Sequence, residues 1–236
     1  YTHIHTLFSL YHLSDEHKSI MCSLTLIPLT GISARRFALW LDLSDMNSIN
    51  DLIEAGFITP GIGRTLQLHP MIQEVALVEL KPSISNCQTL CRNIQKTCLL
   101  HGLDIPYYKI MFQTVENIID MIEKDDLDFY LLFLEDVFPY MEKYHYEQGM
   151  KHILTELSNL LEYQFLGTTT DKALLLDYKA ALEKKPEKAL QYEQEAIRLL
   201  GTINNDNAHL AANLYGNLGG LYHSVKNIPL AKENLE

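Results

Sequence analysis

A fixed spacing of aromatic, aliphatic and small residues near the end of the chain constrains the fold more than any other feature. The residues in this spacing are Tyr215, Leu218, Gly219 and Tyr222, followed by Ala231 and Leu235. Two small residues facing each other allow two helices to approach closely, and the larger side chains then fill the space between neighbouring hairpins. A single helical hairpin leaves an apolar face open, so the pattern predicts stacked copies.

An earlier copy of this hairpin is weaker but recognisable. Ala189 and Ala196 occupy the corresponding second helix, and Pro186 lies in the turn before it. Ala189 and Ala231 are about 42 residues apart, more than the usual period of about 34. The spacing resembles tetratricopeptide repeats, in the long form found in kinesin light chains. The resemblance implies an α-α superhelix over residues 81–236, degenerate to about 165 and clearer from 171 to 236. A generic helical bundle with the same apolar stripes is the alternative.

Residues 1–80 show a different order of elements. Apolar residues recur at helical spacing in three short segments that end near Pro28, Leu41 and Gly56. Two short apolar runs then flank a Gly-rich tip at residues 60–64, and a further helix begins at Pro70. Three helices, a small β-hairpin and a flanking helix predict a winged-helix module. We place its boundary at Lys81-Pro82-Ser83, and expect a mainly α protein.

Three stretches of the first half carry a family resemblance. Residues 26–33, 49–58 and 68–75 resemble the winged-helix region that follows the ATPase core in bacterial STAND regulators of the NB-ARC type. The resemblance implies a non-catalytic regulatory and sensing segment of a signalling switch. It also implies an upstream nucleotide-binding domain as partner, and ATP or ADP bound only through that domain. Because the chain begins at Tyr1 rather than Met, we expect it to be a piece of a longer protein.

His69 stands where that family has the histidine of its Met-His-Asp motif, although Leu68 and Pro70 replace the other two residues. The resemblance implies that His69 contacts the phosphates of a bound nucleotide in the intact protein. The alternative is that His69 only caps the helix that begins at Pro70. No G-x-x-x-x-G-K-[ST] pattern occurs in the chain, so we do not expect this segment to bind ATP by itself.

First helices of such hairpins line the concave face of the superhelix, where we expect a protein or peptide to bind. The polar or small residues of the best first helix are Asn213, Asn217, Gly220 and His223. An Asn side chain offers a donor and an acceptor to an extended backbone. The alternative is that these are solvated positions without a ligand.

Charge argues against nucleic acid as a partner. The chain has a net charge of -11, and its predicted third helix contains Asp51 and Glu54 but no Lys or Arg. Phosphate contacts require the opposite charge. Two functions rival the regulatory and sensing segment. One is a stand-alone peptide-receptor transcriptional regulator with a DNA-binding winged helix, against which the charge argues, and the other is a purely structural scaffold. No arrangement of residues typical of an enzyme site is present in the sequence.

The cysteines and histidines favour structural or surface roles over metal binding. Cys87, Cys91 and Cys98 share a helix face with apolar residues, and no CxxC pair occurs, so we expect reduced, buried thiols. Reduced thiols are typical of a cytoplasmic protein. His3, His5 and His12 lack metal-ligand spacing and are interpreted as surface or tag-like. No apolar run approaches the roughly 20 residues of a membrane span.

Overall fold

A computed structural model describes residues 13–61, 63–100, 105–160 and 168–235. Within these ranges the chain forms twelve helices and three short strands, which confirms a mainly α protein. The chain divides into two compact units between Tyr144 and His145. The first unit contains α1 Asp15–Thr25, β1 Ile32–Ser33, α2 Ala34–Trp40, α3 Asn47–Glu54, β2 Ile58–Pro60, β3 Thr65–Leu68, α4 Pro70–Leu80, α5 Gln88–Leu100, α6 Ile105–Met121 and α7 Leu127–Lys143. The second contains α8 Glu147–Ser158, α9 Thr169–Leu182, α10 Pro186–Leu200, α11 Ala208–Ser224 and α12 Ile228–Leu235.

Helices α1 and α2 begin at serine side chains that satisfy free N–H groups of the first turn. The Ser14 hydroxyl accepts from the His17 N–H of α1 at 3.1 Å. The Ser33 hydroxyl does the same for α2, accepting from the Arg36 N–H at 3.3 Å. Apolar side chains in and beside α1, α2 and α3 are buried. The most deeply buried of them include Ile20, Met21, Leu26, Phe37, Ile49 and Leu52.

The three strands form a small antiparallel sheet in the order β1-β3-β2. The β2–β3 hairpin occupies the region in which the sequence predicted one, with Ile58 opposite Leu68. The sequence did not predict β1, whose Ile32 lies opposite Leu66. Helix α1 packs against α3, α4 and the central strand. The sheet therefore forms one side of the core that α1 covers.

Residues 81–83 do not separate two compact units. The Glu123 N–H donates to the Pro82 carbonyl at 2.8 Å, and the Ile84 N–H donates to the Glu123 carbonyl at 3.0 Å. Further on, the Asn117 amide donates to the Leu26 carbonyl at 2.9 Å. These bonds join α5 and α6 to the N-terminal elements. The boundary that we predicted at Lys81 therefore lies inside the first unit, because polar bonds and not only chain connectivity hold both sides together.

All four cysteines are free and buried. Cys91 is fully enclosed, and burial raises its pKa to about 12. Burial is also the main cause that raises the pKa of Cys98 to about 12, with a contribution from Asp136. The buried Cys stripe of α5 therefore matches the predicted helix face.

The helices of the second unit pack in chain order, α8 with α9, α9 with α10, α10 with α11 and α11 with α12. Thr168 and Asp171 form a capping box at the start of α9, Pro186 occupies the first turn of α10, and Gly201 ends that helix with a positive φ of 65°. The core that joins α9, α10 and α11 consists mostly of small residues. Its members are Ala173, Ala196, Leu200, Ala211 and Leu214.

The connection between α10 and α11 contains the residues to which the sequence analysis attributes the long spacing of the predicted repeat. Asn207 is buried there, with 6% of its surface exposed. Its side chain accepts from the Asn204 N–H at 2.8 Å and donates to the Thr202 carbonyl at 3.1 Å. The extra residues thus form a connection with its own hydrogen bonds. The stretch that we predicted as degenerate repeats, from residue 81 to about 165, spans the division between the two units, with α7 in the first and α8 in the second.

Candidate functional site

The contact between α11 and α12 depends on a glycine. A β-carbon added at Gly219 would lie 2.7 Å from Cγ of Leu235 and 3.3 Å from the Ala231 carbonyl oxygen. Both distances are shorter than ordinary van der Waals contact, so only glycine fits without movement of α12. Gly219 and Ala231 are both buried. This close approach is the geometry that the repeat spacing requires at these two positions.

The other signature residues differ in their burial. Leu218, Ala189 and Ala196 are buried, as expected for residues between packed helices. Tyr215 is 36% exposed, so its ring is only partly covered by the described residues. The Tyr222 hydroxyl accepts a hydrogen bond from the Gln194 amide at 2.8 Å, which connects α11 to α10. The tyrosines of this repeat therefore combine partial packing with a polar contact.

The predicted binding residues lie together on the open side of α11. Asn213, Asn217, Gly220 and His223 are all exposed. Asn217 donates a hydrogen bond to a carboxylate oxygen of Asp177 at 2.8 Å. Asp177 lies on α9. The hydrogen bond therefore joins the exposed polar side of α11 to α9.

The carboxyl group of Asp177 interacts with a second acid, Glu193, as well as with Asn217. Burial raises the pKa of the Asp177 carboxyl, and hydrogen bonds from Glu193 and Asn217 oppose that increase. Glu193 is on α10 and only 2% exposed. Sequence reasoning missed this pair of acids. A signal was present, because Glu193 lies between Ala189 and Ala196 on the apolar face of its helix, where a carboxyl requires a polar partner.

His69 occupies the N-cap of α4. Its Nδ1 accepts from the Met71 N–H at 3.3 Å, and its side chain is exposed. Because Nδ1 accepts, the neutral ring carries its proton on Nε2. The capping role that we considered for His69 is therefore present. It leaves the Nε2–H group available to a second partner, so the two roles considered for this residue are compatible.

A cavity of about 780 Å³ lies in the first unit between α2, α3 and the β2–β3 hairpin. Its lining includes the exposed side chain of Leu39 and two arginines, Arg35 and Arg64. The acidic residue of the lining is Asp45, whereas Asp51 and Glu54 of α3 are not part of it.

In residues 13–61, 63–100, 105–160 and 168–235, no group of three or more His, Cys, Asp or Glu side chains could hold a metal ion. His3, His5 and His12 lie outside these ranges. In the same part of the chain, no helix combines the length and the apolar character that crossing a membrane requires.

Comparison of the chain with models of protein families, with curated proteins and with solved structures found no match. The polar face of α9 and α11, with half-buried Asp177 and buried Glu193, is the feature that most resembles a recognition surface.

Proposed function

We propose that this chain is a non-catalytic regulatory segment that recognises a protein or peptide on the exposed face of its C-terminal hairpins. The observation that carries the proposal is the hydrogen bond between Asn217 and Asp177, which joins two successive first helices into one polar strip. Asn213 on this strip is exposed, and its amide can offer a donor and an acceptor to an extended backbone. In this interpretation α9 to α12 are two tetratricopeptide-like hairpins, and the close contact at Gly219 supports that assignment.

The first unit, in this proposal, contains a winged-helix module. The order α1-β1-α2-α3-β2-β3, with β3 central in the sheet, supports it. The module contacts protein rather than DNA, because α3 contributes Asp51 and Glu54 and no cation. Its role is then to couple an upstream nucleotide-binding domain of STAND type to the repeats in a cytoplasmic switch.

His69 is the proposed contact to nucleotide bound by that upstream domain. The Nδ1 atom is occupied by the Met71 N–H, so the ring can present Nε2–H to a phosphate oxygen. Met71 and Val78 lie on α4 near and beyond His69, with 38% and 62% of their surfaces exposed. These exposed apolar side chains, two and nine residues after the histidine, support an interface with another domain.

Peptide recognition can be tested with displayed random peptides selected on the whole chain. Affinity of a selected peptide is then measured by fluorescence polarisation for the wild type, Asn213→Ala and the control Gln191→Ala. Gln191 is an equally exposed amide on α10, opposite the buried face of that helix. We expect Asn213→Ala to weaken binding about tenfold, the effect of roughly one lost hydrogen bond, and the control to bind like the wild type. Selected peptides that bind Asn213→Ala as well as the wild type would contradict the proposed face.

The switch assignment has a separate test, which is the sequence of the complete open reading frame. We expect it to encode a G-x-x-x-x-G-K-[ST] loop upstream of Tyr1. A frame that begins close to Tyr1 would exclude the nucleotide-sensing role of His69. Peptide recognition by the hairpins would survive that result.

A further inference from the structure

The cavity between α2, α3 and the β2–β3 hairpin has a mostly apolar wall. On α2, Ala38 and Leu39 lie one turn beyond Arg35 and share its helix face, and Leu39 is 59% exposed. Ile53 of α3 and the buried Leu66 of β3 extend the apolar part of the wall. The volume of about 780 Å³ falls within the roughly 300–1,000 Å³ of pockets that hold small ligands. The size and the wall therefore suit a small molecule with an apolar body.

Positive charge lies in this wall where the β2–β3 hairpin meets α2. The Ala34 N–H donates to the Arg64 carbonyl at 3.0 Å, which places Arg64 beside the first turn of α2, the turn that contains Arg35. Both arginines are exposed, and among the described residues neither forms an ion pair with a carboxylate. The acid of the wall, Asp45, accepts instead from the Asn47 N–H at 2.8 Å. Two guanidinium groups beside an apolar wall complement an anion with an apolar body.

The backbone of Arg64 adopts a conformation that its side chain does not favour. Its φ of 59° lies in the left-handed region, which glycine adopts without steric cost and other residues rarely adopt. The hydrogen bond from Ala34 uses only the backbone carbonyl, so the turn itself does not require an arginine. A guanidinium is thus held at the cavity in spite of backbone strain, and such strain is frequent at ligand sites.

We propose that this cavity binds a small organic anion with an apolar body and a single acidic head group. The body covers Leu39 and Ile53, and the head group, a carboxylate or a sulfonate, accepts hydrogen bonds from Arg35 and Arg64. Hydrogen bonds between a guanidinium and such an anion are shorter and stronger than neutral ones. The cavity lies wholly in the first unit, so this site is independent of the peptide recognition proposed for α9 to α12.

Two dyes with the same rings test the proposal on the whole chain. Anilinonaphthalene sulfonate carries an acidic head group, whereas phenylnaphthylamine has none, and both become more fluorescent in apolar surroundings. Arg64→Gly removes the guanidinium and leaves a residue that favours the observed φ. We expect this variant to bind the sulfonate dye about tenfold more weakly than the wild type, and the neutral dye equally well. Arg35→Gln should show the same selective loss.

Lys81→Gly is the matched control for Arg64→Gly. Lys81 is also an exposed cation with a positive φ, of 47°, but it does not line the cavity. This variant should bind both dyes like the wild type. Equal affinity of Lys81→Gly and Arg64→Gly for the sulfonate dye, or no measurable binding of that dye to the wild type, would overturn the proposal.

A further variant locates the apolar body. Ala38→Leu adds bulk to the wall without changing charge, so it should weaken the binding of both dyes. Thermal melting followed by circular dichroism shows that each variant remains folded. If a folded Ala38→Leu protein binds both dyes as tightly as the wild type does, the dyes bind elsewhere on the chain and the proposed site is wrong.

Discussion

Replacing the three glycines of α11 one at a time separates helix propensity from the packing of α11 on α12. A β-carbon added at Gly216 or Gly220 would meet nothing within 4 Å. Alanine is favoured over glycine inside a helix by about 1 kcal/mol. We therefore expect Gly216→Ala and Gly220→Ala each to raise the free energy of unfolding of the second unit by about that amount.

Gly219→Ala has the same gain in helix propensity, but its new β-carbon contacts α12. The new β-carbon would lie 2.7 and 2.9 Å from Cγ and Cδ2 of Leu235. Leu235 is 64% exposed, so it can rotate away at a loss of about 1 kcal/mol, a part of the roughly 1.5–3 kcal/mol that full burial of a leucine contributes. The Ala231 carbonyl at 3.3 Å is backbone and requires a further small shift of α12. The net change should therefore lie between zero and a loss of about 1 kcal/mol.

Urea unfolding followed by far-ultraviolet circular dichroism measures all three variants under the same conditions. The informative quantity is the difference in unfolding free energy between Gly219→Ala and the other two variants, Gly216→Ala and Gly220→Ala. The contribution of helix propensity cancels in this difference. A difference of at least about 1 kcal/mol is expected from the packing argument. If Gly219→Ala stabilises the protein as much as Gly216→Ala does, α11 and α12 are not in close contact, and the hairpin assignment of these helices is wrong.

Three further predictions concern titratable and capping groups. Because burial raises the pKa of Asp177 above its unfolded value of about 3.9, its contribution to stability is largest below that value and falls as the pH rises through the folded pKa. Asp177→Asn should therefore flatten the decline in unfolding free energy that sets in as the pH rises above about 4 in urea titrations, and an unchanged slope would exclude a raised pKa. Cys91 and Cys98, with pKa values raised to about 12, should resist iodoacetamide at about pH 8 in the native protein and react only in urea, which peptide mapping would show. His69→Ala should lower the unfolding free energy by about 1 kcal/mol through loss of the α4 cap, whereas His69→Asn should retain most of it, and equal values for the two variants would argue against the cap.

Much of the local structure could be predicted because it depends on neighbouring residues. The Ser14 cap, the Pro186 start of α10 and the Gly201 stop are properties of a few consecutive side chains. The β2–β3 hairpin has a Gly-rich tip that indicates a turn directly. The periods of α9 to α12 were also visible, since small residues recur where the helices meet.

The missed features depend on contacts between distant residues. Strand β1 has only two residues and exists because Ile32 pairs with Leu66 across the sheet. The bond between Asn217 and Asp177 joins residues that are 40 apart in the chain. No local pattern encodes either contact. Lys81-Pro82-Ser83 had the composition of a linker, but its hydrogen bonds to Glu123 could be recognised only in three dimensions.

Those hydrogen bonds give the joint after α4 a mechanical consequence. A flexible linker would absorb any rotation of α4. The segment after α4 is instead hydrogen bonded, through Pro82 and Ile84, to Glu123 just beyond the end of α6. The side chain of Asn86 adds a further constraint, donating to the Lys81 carbonyl at 3.1 Å. We therefore expect a rotation of α4, the helix that begins beside His69, to be transmitted through these hydrogen bonds to the end of α6.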